Sequence, residues 1–128
     1  MSLLLRGQES AVEQNELQST VVCLCGSTRF KQTFEAENRR LTLAGYIVLS
    51  AGVFPNAPAS GGANAYEEID DEQKRALDEL HLEKIRLSDE VRVLNVGGYV
   101  GDSTRAEIEY ARKLGITCSF YEDWSNRR

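Results

Sequence analysis

Four short segments of β-branched and apolar residues are spaced along the chain, and this spacing limits the possible folds more than any other feature. They span residues 20–25, 46–50, 90–96 and 116–121. The first, TVVCLC, is apolar on both faces, which is typical of a strand buried inside a parallel sheet. Because each segment is separated from the next by helical or loop sequence, we predict parallel strands joined by crossovers. The expected fold class is a three-layer α/β sheet.

Helical periodicity fills most of the intervals between these segments. It predicts helices over residues 30–44, 70–88 and 103–114, and Gly45 and Gly115 are placed to end the first and the third. The interval after the second strand is different, because it holds both prolines and several glycines, which are incompatible with a long regular element. A loop of this length is usually functional or disordered, and we expect residues 52–68 to close over a ligand.

Length and charge narrow the class of protein. The 128 residues predict one domain over 19–128, preceded by a polar extension over 1–18. The net charge of −5 argues against binding to duplex nucleic acid, which needs a basic surface. No apolar run is long enough to cross a bilayer, and the first residues lack the features of a signal peptide. We therefore expect a cytoplasmic protein without a membrane partner.

The cysteines fit this expectation. Cys23, Cys25 and Cys118 are odd in number, and reduced thiols in the cytoplasm account for them most simply. Alternation along a strand points the side chains of Cys23 and Cys25 to one face. A metal site would need more ligands, and the chain has a single histidine, His81. We therefore predict that the thiols pack in the core, and we expect no metal and no cofactor.

The first strand ends in a turn, GSTRF, whose chemistry suits an anion. Gly26 allows the backbone to approach a ligand closely, and the start of the following helix offers N–H groups and positive potential. Ser27 and Thr28 add hydroxyl groups, and the guanidinium of Arg29 matches phosphate or carboxylate. The turn follows neither the dinucleotide-binding nor the Walker A pattern. The alternative interpretation is a capped helix followed by a surface arginine.

A second glycine-rich turn, GGYVGDSTRAEIEYA, follows the third strand. Its glycines make a pliable loop, and three residues could cap the next helix: Asp102, Ser103 and Thr104. Glu107 would face the strand ends if Ile108 and Ala111 face the sheet, although an acidic residue near a helix start also simply stabilises it. Both turns follow strands at their carboxyl ends, where parallel sheets bind ligands.

The single histidine has two interpretations. His81 shares a helix face with Leu77 and Ile85, so it could be a half-buried packing residue. It could also be a proton donor or acceptor, because an imidazole titrates near neutral pH. Asp78 lies one turn earlier on nearly the same face and could orient the ring.

Three stretches in this order resemble the nucleoside 2-deoxyribosyltransferase-like family, which includes the 2'-deoxynucleoside 5'-phosphate N-hydrolases. They are CGSTRF, LDELHLEKIRLSDEVRVLNV and GDSTRAEIEYARKLGI, and the likeness covers about residues 20–121. The resemblance implies a flavodoxin-like or Rossmann-like fold with a parallel sheet of four to five strands. It also implies a homodimer or higher homo-oligomer, and an enzyme that breaks or exchanges the bond between deoxyribose and a nucleobase.

The resemblance also implies roles for individual residues. Glu107 matches the nucleophile that forms a glycosyl ester, which splits one difficult displacement into two easier ones. The first turn matches a cradle for the 5'-phosphate, and the second turn matches the loop near the sugar. The substrate-binding residues expected on these grounds are Gly26, Ser27, Thr28, Arg29, Gly98, Gly101, Ser103 and Thr104.

Two residues depart from the family's pattern. His81 stands where the family has an aspartate that protonates the leaving base, and Cys23 stands where many members have a tyrosine. A histidine can do the same proton transfer, with Asp78 nearby as a second candidate acid. Three hypotheses follow: an N-glycosidase or deoxyribosyltransferase, a non-catalytic nucleotide-binding or sensing module, and an interaction domain. For the enzyme, Arg29 favours a nucleoside 5'-monophosphate over a plain nucleoside.

Overall fold

A computed structural model describes residues 19–55 and 68–123. Every predicted strand and helix is present, with bounds that agree to within a few residues. In chain order the elements are β1 (Val21–Cys25), α1 (Lys31–Leu43), β2 (Ile47–Leu49), α2 (Asp71–Arg86), β3 (Glu90–Val93), α3 (Asp102–Lys113) and β4 (Thr117–Phe120). Among the described residues, no helix has the length and apolar character needed to span a membrane. The predicted extension over 1–18 and most of the long loop lie outside the described residues.

The four strands form one parallel sheet in the order β2-β1-β3-β4. The predicted α/β fold with a parallel sheet is therefore confirmed, and its four described strands lie within the expected range. The chain moves from β1 to β2 on one side, then returns to place β3 on the other side of β1. Between β1 and β3 the strand order reverses, and such a point leaves a crevice at the carboxyl ends of the strands.

Alternation along β1 divides the core into two layers. Val22 and Leu24 face α1, where they pack with Phe34 and Leu41. Cys23 and Cys25 alternate with these residues and face the opposite side, where they pack with apolar residues of α2, β3 and α3. These partners are Ile85, Val91, Val93, Ile108 and Ala111. The sheet is thus covered on both faces, and the two thiols belong to the layer beneath α2 and α3.

The prediction that residues 46–50 form a buried strand is wrong in one respect. The strand exists, but Ile47 keeps 51% of its surface exposed. The physical reason is its position, because β2 lies at the edge of the described sheet and pairs only with β1 there. An apolar sequence alone does not distinguish an edge strand from a central one.

A buried carboxylate joins α1 to the sheet. The side chain of Glu37 is 5% exposed and accepts hydrogen bonds from Arg40 Nε at 2.6 Å and from Arg92 Nε at 2.8 Å. These two guanidinium groups, Arg40 first, outweigh burial and lower the pKa of Glu37. Arg92 lies on β3, so the interaction fixes α1 against the sheet.

The helix starts differ from one another in how they are capped. Asp70 caps α2 and accepts from the backbone N–H of Gln73, whose side chain returns a bond to the Asp70 backbone. The N-cap of α3 is Gly101, with no side-chain bond, so the prediction of a cap from Asp102, Ser103 or Thr104 is wrong. The backbone begins the helix one residue earlier, which places these three residues along the wall of a cavity.

Candidate functional site

A cavity of about 310 Å³ lies at the carboxyl ends of β1 and β3, where the strand order reverses. The turn after β1, the segment after β2, the inner face of α2 and the first turns of α3 form its walls. Its volume falls at the lower end of the range of about 300–1,000 Å³ that is usual for small-molecule sites. The two glycine-rich turns therefore open onto one space.

Most of the residues predicted from the sequence line this cavity. They are Gly26, Ser27, Thr28, Arg29, Asp78, His81, Gly101, Ser103, Thr104 and Glu107. Gly98 does not line it, and the prediction for this residue is wrong: Gly98 ends a short 3-10 turn, Val96–Gly98, and the next residue, Tyr99, reaches the cavity.

The turn after β1 requires glycine at its first position. Gly26 has φ of 157°, and a Cβ built on it would come within 3.1 Å of the carbonyl oxygen of Leu94. Ser27 Oγ accepts from the backbone N–H of Arg29 at 3.2 Å, which caps a single 3-10 turn that continues directly into α1. The close approach to Leu94, the residue after β3, holds this turn at the carboxyl ends of the strands.

An aromatic side chain from the second turn positions the arginine of the first. The guanidinium carbon of Arg29 lies 4.4 Å from the ring centroid of Tyr99, and Arg29 Nη2 donates to Tyr99 Oη at 3.4 Å. Both residues line the cavity. Tyr99 was not predicted from the sequence, where its one signal is its position inside the glycine-rich loop.

The loop that carries Tyr99 is fixed by polar contacts at its base. Asn95 is fully buried, and its Oδ1 accepts from the backbone N–H of Glu122 at 2.8 Å. Gly97 donates its backbone N–H to Glu122 Oε2 at 2.9 Å. These bonds tie the end of β3 to the residues that follow β4, so the loop has a defined direction toward the cavity.

Glu107 faces the strand ends, as the sequence predicted. Ile108 and Ala111 pack against the sheet, Glu109 is exposed, and the side chain of Glu107 is 16% exposed within the cavity wall. Glu107 Oε1 lies 3.9 Å from His81 Nε2. Burial raises the pKa of the Glu107 carboxyl, and the positive charge of His81 offsets this only in part.

His81 is partly buried and also lines the cavity. It lies on α2 four residues before Ile85, and its ring reaches the cysteines of β1. His81 Nε2 lies 3.3 Å from Cys25 Sγ and 3.8 Å from Cys23 Sγ. Burial alone would lower the pKa of His81, but its hydrogen bond with Cys23 and the charge of Glu107 outweigh burial and raise it.

The two thiols have opposite acid–base character. A hydrogen bond from Cys25 lowers the pKa of Cys23 to about 6 against the effect of burial, with help from His81. The same bond, burial and the negative charges of Cys23 and Glu107 raise the pKa of Cys25. We call Cys23, Cys25, His81 and Glu107 the thiol–imidazole cluster. The sequence predicted that the thiols share one strand face, but gave no sign that His81 lies above it.

Charged side chains along α2 complete the cavity wall. Lys74 Nζ donates to Asp78 Oδ2 at 3.1 Å, and this exposed pair is the polar contact of Asp78 among the described residues. The structure thus places Asp78 at the cavity but brings Lys74, and not His81, to its carboxylate. Lys84 Nζ donates to the carbonyl oxygen of Ser50 at 2.6 Å. Lys74 lies seven residues before His81 and Lys84 three residues after it, and this spacing was a sequence signal that they share its face.

The chain matches no protein-family model, no curated protein and no solved structure. The arrangement of the residues in the cavity therefore carries the functional argument.

Proposed function

We propose that this chain cleaves the N-glycosidic bond of a nucleoside 5'-monophosphate. Glu107 is the nucleophile and His81 the general acid. The observation that supports this most is that Glu107 and the turn from Gly26 to Arg29 open onto the same cavity. A substrate that spans it would place its phosphate at one turn and its glycosidic carbon at the other.

The phosphate belongs at the turn after β1. Arg29 offers a guanidinium already oriented by Tyr99, and Ser27 and Thr28 offer hydroxyl groups on the same wall. Lys74 and Lys84 add positive charge across the cavity. A plain nucleoside would leave these groups without an anion, so the monophosphate is the preferred substrate.

The chemistry proceeds in two displacements. A carboxylate oxygen of Glu107 attacks C1' of the sugar and forms an ester, while the C1'–N bond breaks and its electron pair moves to the base nitrogen. His81 supplies the proton that the leaving base takes up. Water then attacks C1' of the ester, releases the carboxylate and returns its proton to His81. If a second base replaces water, the same intermediate gives deoxyribosyl transfer.

His81 is a better candidate for the acid than Asp78. Its Nε2 lies 3.9 Å from the Glu107 carboxylate, so both groups can reach the same glycosidic bond. The carboxylate of Asp78 instead pairs with Lys74, and its side chain is 54% exposed. Asp78 therefore serves at the cavity mouth, where its pairing with Lys74 holds that lysine in place.

The test is release of free base, measured by chromatography in a chelating buffer. The substrates are nucleosides and nucleoside 5'-monophosphates, in ribose and deoxyribose forms. We expect the wild type and Glu109→Gln, an exposed matched control, to release base, and Glu107→Gln to release none. His81→Ala should slow release by about 10²–10⁴ with little loss of binding. Equal turnover in Glu107→Gln and the wild type would refute the proposal.

A non-catalytic nucleotide-binding module is the second candidate, and one property of Glu107 favours it. Burial raises the pKa of the Glu107 carboxyl, which disfavours the carboxylate form that a nucleophile needs. In that case the same panel would show binding by calorimetry without release of base from any substrate. Binding that depends on Arg29 but never leads to cleavage would select this alternative.

We also propose that the chain forms a homodimer or higher homo-oligomer in the cytoplasm. Leu80 on α2 and Leu87, the C-cap residue that follows this helix, lie seven residues apart and are 52% and 71% exposed among the described residues. Leu80 also lines the cavity, so a neighbouring subunit on this face would approach the substrate. The three cysteines are free thiols, in keeping with a reducing compartment. Sedimentation of the wild type and of Leu87→Glu tests the assembly.

A further inference from the structure

We propose that the thiol–imidazole cluster binds one zinc ion through Cys23 Sγ, Cys25 Sγ and His81 Nε2, with a fourth coordination position that faces the cavity beside Glu107. Two of the three cysteines and the single histidine of the chain meet at this point. Thiolate sulfur and imidazole nitrogen are the donors that zinc prefers in proteins.

The distances between the donor atoms fit a tetrahedral ion. With Zn–S of about 2.3 Å and Zn–N of about 2.0–2.1 Å, sulfur and nitrogen donors should be about 3.5 Å apart, and two sulfurs about 3.8 Å apart. His81 Nε2 lies 3.3 Å from Cys25 Sγ and 3.8 Å from Cys23 Sγ. All three donor atoms lie within 4.8 Å of one another. Small rotations about the side-chain bonds would complete the geometry.

The surroundings hold the donors in place and leave one side open. Both cysteines lie on β1, which pairs with strands on each side, and both are fully buried. Ile85 and Ile108 pack around them, so apolar atoms close the protein side of the site. His81 and Glu107 line the cavity, which gives an ion or a water molecule access from that direction. Three protein ligands and one open position are typical of a reactive zinc site.

A dication would balance the charges that metal binding creates at this point. Zinc would hold Cys23 and Cys25 as thiolates next to the Glu107 carboxyl, and buried charges must be paired or coordinate a metal. Among the described residues, the positive groups that act on Cys23 are His81 and Lys84, and the ammonium of Lys84 donates to the carbonyl oxygen of Ser50. A zinc ion would neutralise the thiolates directly.

A disulfide is the competing use of the two cysteines, and the backbone disfavours it. Residues two apart on one strand have Cα atoms roughly 6.6 Å apart. That is the far end of the usual range of about 4.4–6.8 Å for a disulfide. Both cysteines lie on extended, paired backbone, which cannot shorten this separation without breaking sheet hydrogen bonds. Metal binding needs no such movement.

Zinc at this site would control the proposed reaction, and this consequence rests on the proposed function. His81 Nε2 would hold the ion and could not deliver a proton to the leaving base. Glu107 would lie beside the dication, where its carboxylate is a poorer nucleophile. We therefore expect zinc to suppress base release and a chelator to restore it.

The test of the site uses cobalt as a spectroscopic substitute for zinc. Titration of the reduced wild-type chain with Co²⁺ should produce the thiolate-to-metal charge-transfer band at one ion per chain, and added Zn²⁺ should remove it. Cys23→Ser and Cys25→Ser should each lose most of the band. Cys118→Ser is the matched control, since Cys118 lies on β4 outside the cluster, and it should keep the full band.

His81→Ala gives a second test of the site, which still decides the matter if the cysteine variants do not fold. This residue is half-buried on a helix, and the substitution leaves both thiols in place, so we expect a folded chain by circular dichroism with a weakened, shifted band. No charge-transfer band in the folded wild type would overturn the metal site, as would equal bands in His81→Ala and the wild type.

Base release separates this inference from the proposed function. A cobalt band without base release under chelating conditions would leave the metal site standing and end the glycosidase proposal. Base release that persists at saturating zinc, in a chain that shows the cobalt band, would overturn the inhibitory role.

Discussion

Replacing Arg29 with glutamine separates recognition of the phosphate from recognition of the rest of the substrate. Arg29 lies at the cavity wall with its guanidinium 4.4 Å from the Tyr99 ring centroid, so its position is set before a ligand arrives. Glutamine keeps a polar side chain but removes the charge. We expect weaker binding of nucleoside monophosphates and unchanged kinetic constants for the matching nucleosides.

The size of the effect follows from the groups in the cavity. A hydrogen bond to a charged partner contributes about 1.5–3 kcal/mol, which corresponds to roughly 10- to 150-fold in affinity. Arg29 is exposed, and Lys74 and Lys84 remain to attract the phosphate, so the lower end applies. We expect KM for the monophosphate to rise about tenfold, with kcat little changed, because the interaction is made equally in ground and transition states.

The assay compares kcat/KM for a monophosphate and its nucleoside in the wild type, Arg29→Gln and Arg39→Gln. Arg39 is exposed on α1 and does not line the cavity, so its substitution controls for the change in net charge. The ratio of the two kcat/KM values should fall about tenfold in Arg29→Gln alone. An equal loss of kcat/KM for both substrates would mean that Arg29 stabilises the fold of the turn and does not bind the phosphate. That result would refute the reasoning.

Two further predictions concern stability. Glu37→Gln should lower the free energy of unfolding by about 1.5–3 kcal/mol near neutral pH, because Arg92 loses its anion. The pKa of Glu37 is lowered in the fold, so its contribution is present above the unfolded pKa of about 4.3 and is lost as pH falls through the folded pKa. The difference in free energy of unfolding between wild type and variant, measured in urea, should therefore become smaller in acid. A difference that does not change with pH would contradict this prediction. Asp70→Ala removes the N-cap of α2 and should cost about 1 kcal/mol in the same assay, whereas Asp71→Ala, on the same exposed turn, should cost less.

The elements that could be predicted from the sequence are those set by local periodicity. The alternation of strands and helices, and the stop at Gly45 with φ of 99°, follow from residues close together in the chain. The orientation of Glu107 was predictable because Ile108 and Ala111 fix the buried face of the same helix. That the two turns meet follows from parallel strands, whose carboxyl ends lie at one edge.

The features that could not be predicted depend on how separate elements are placed on one another. His81 contacts Cys25 although the two residues are 56 positions apart in the sequence. This contact depends on where α2 lies along β1. No local pattern fixes that distance, so the cysteines could be predicted only as core residues. The exposed edge at Ile47 depends in the same way on strand order, which neighbouring residues do not specify.

The central claim is that Glu107 attacks the sugar from the wall of a cavity whose far end holds the phosphate. Its most direct test is mass spectrometry of the wild type quenched in acid during turnover of a deoxynucleoside 5'-monophosphate. Trypsin should release residues 106–112, which contain both Glu107 and the exposed Glu109. The account predicts a deoxyribose phosphate adduct on Glu107 and none on Glu109. Free base in the quenched sample, with both glutamates unmodified or with the sugar on Glu109, would contradict it.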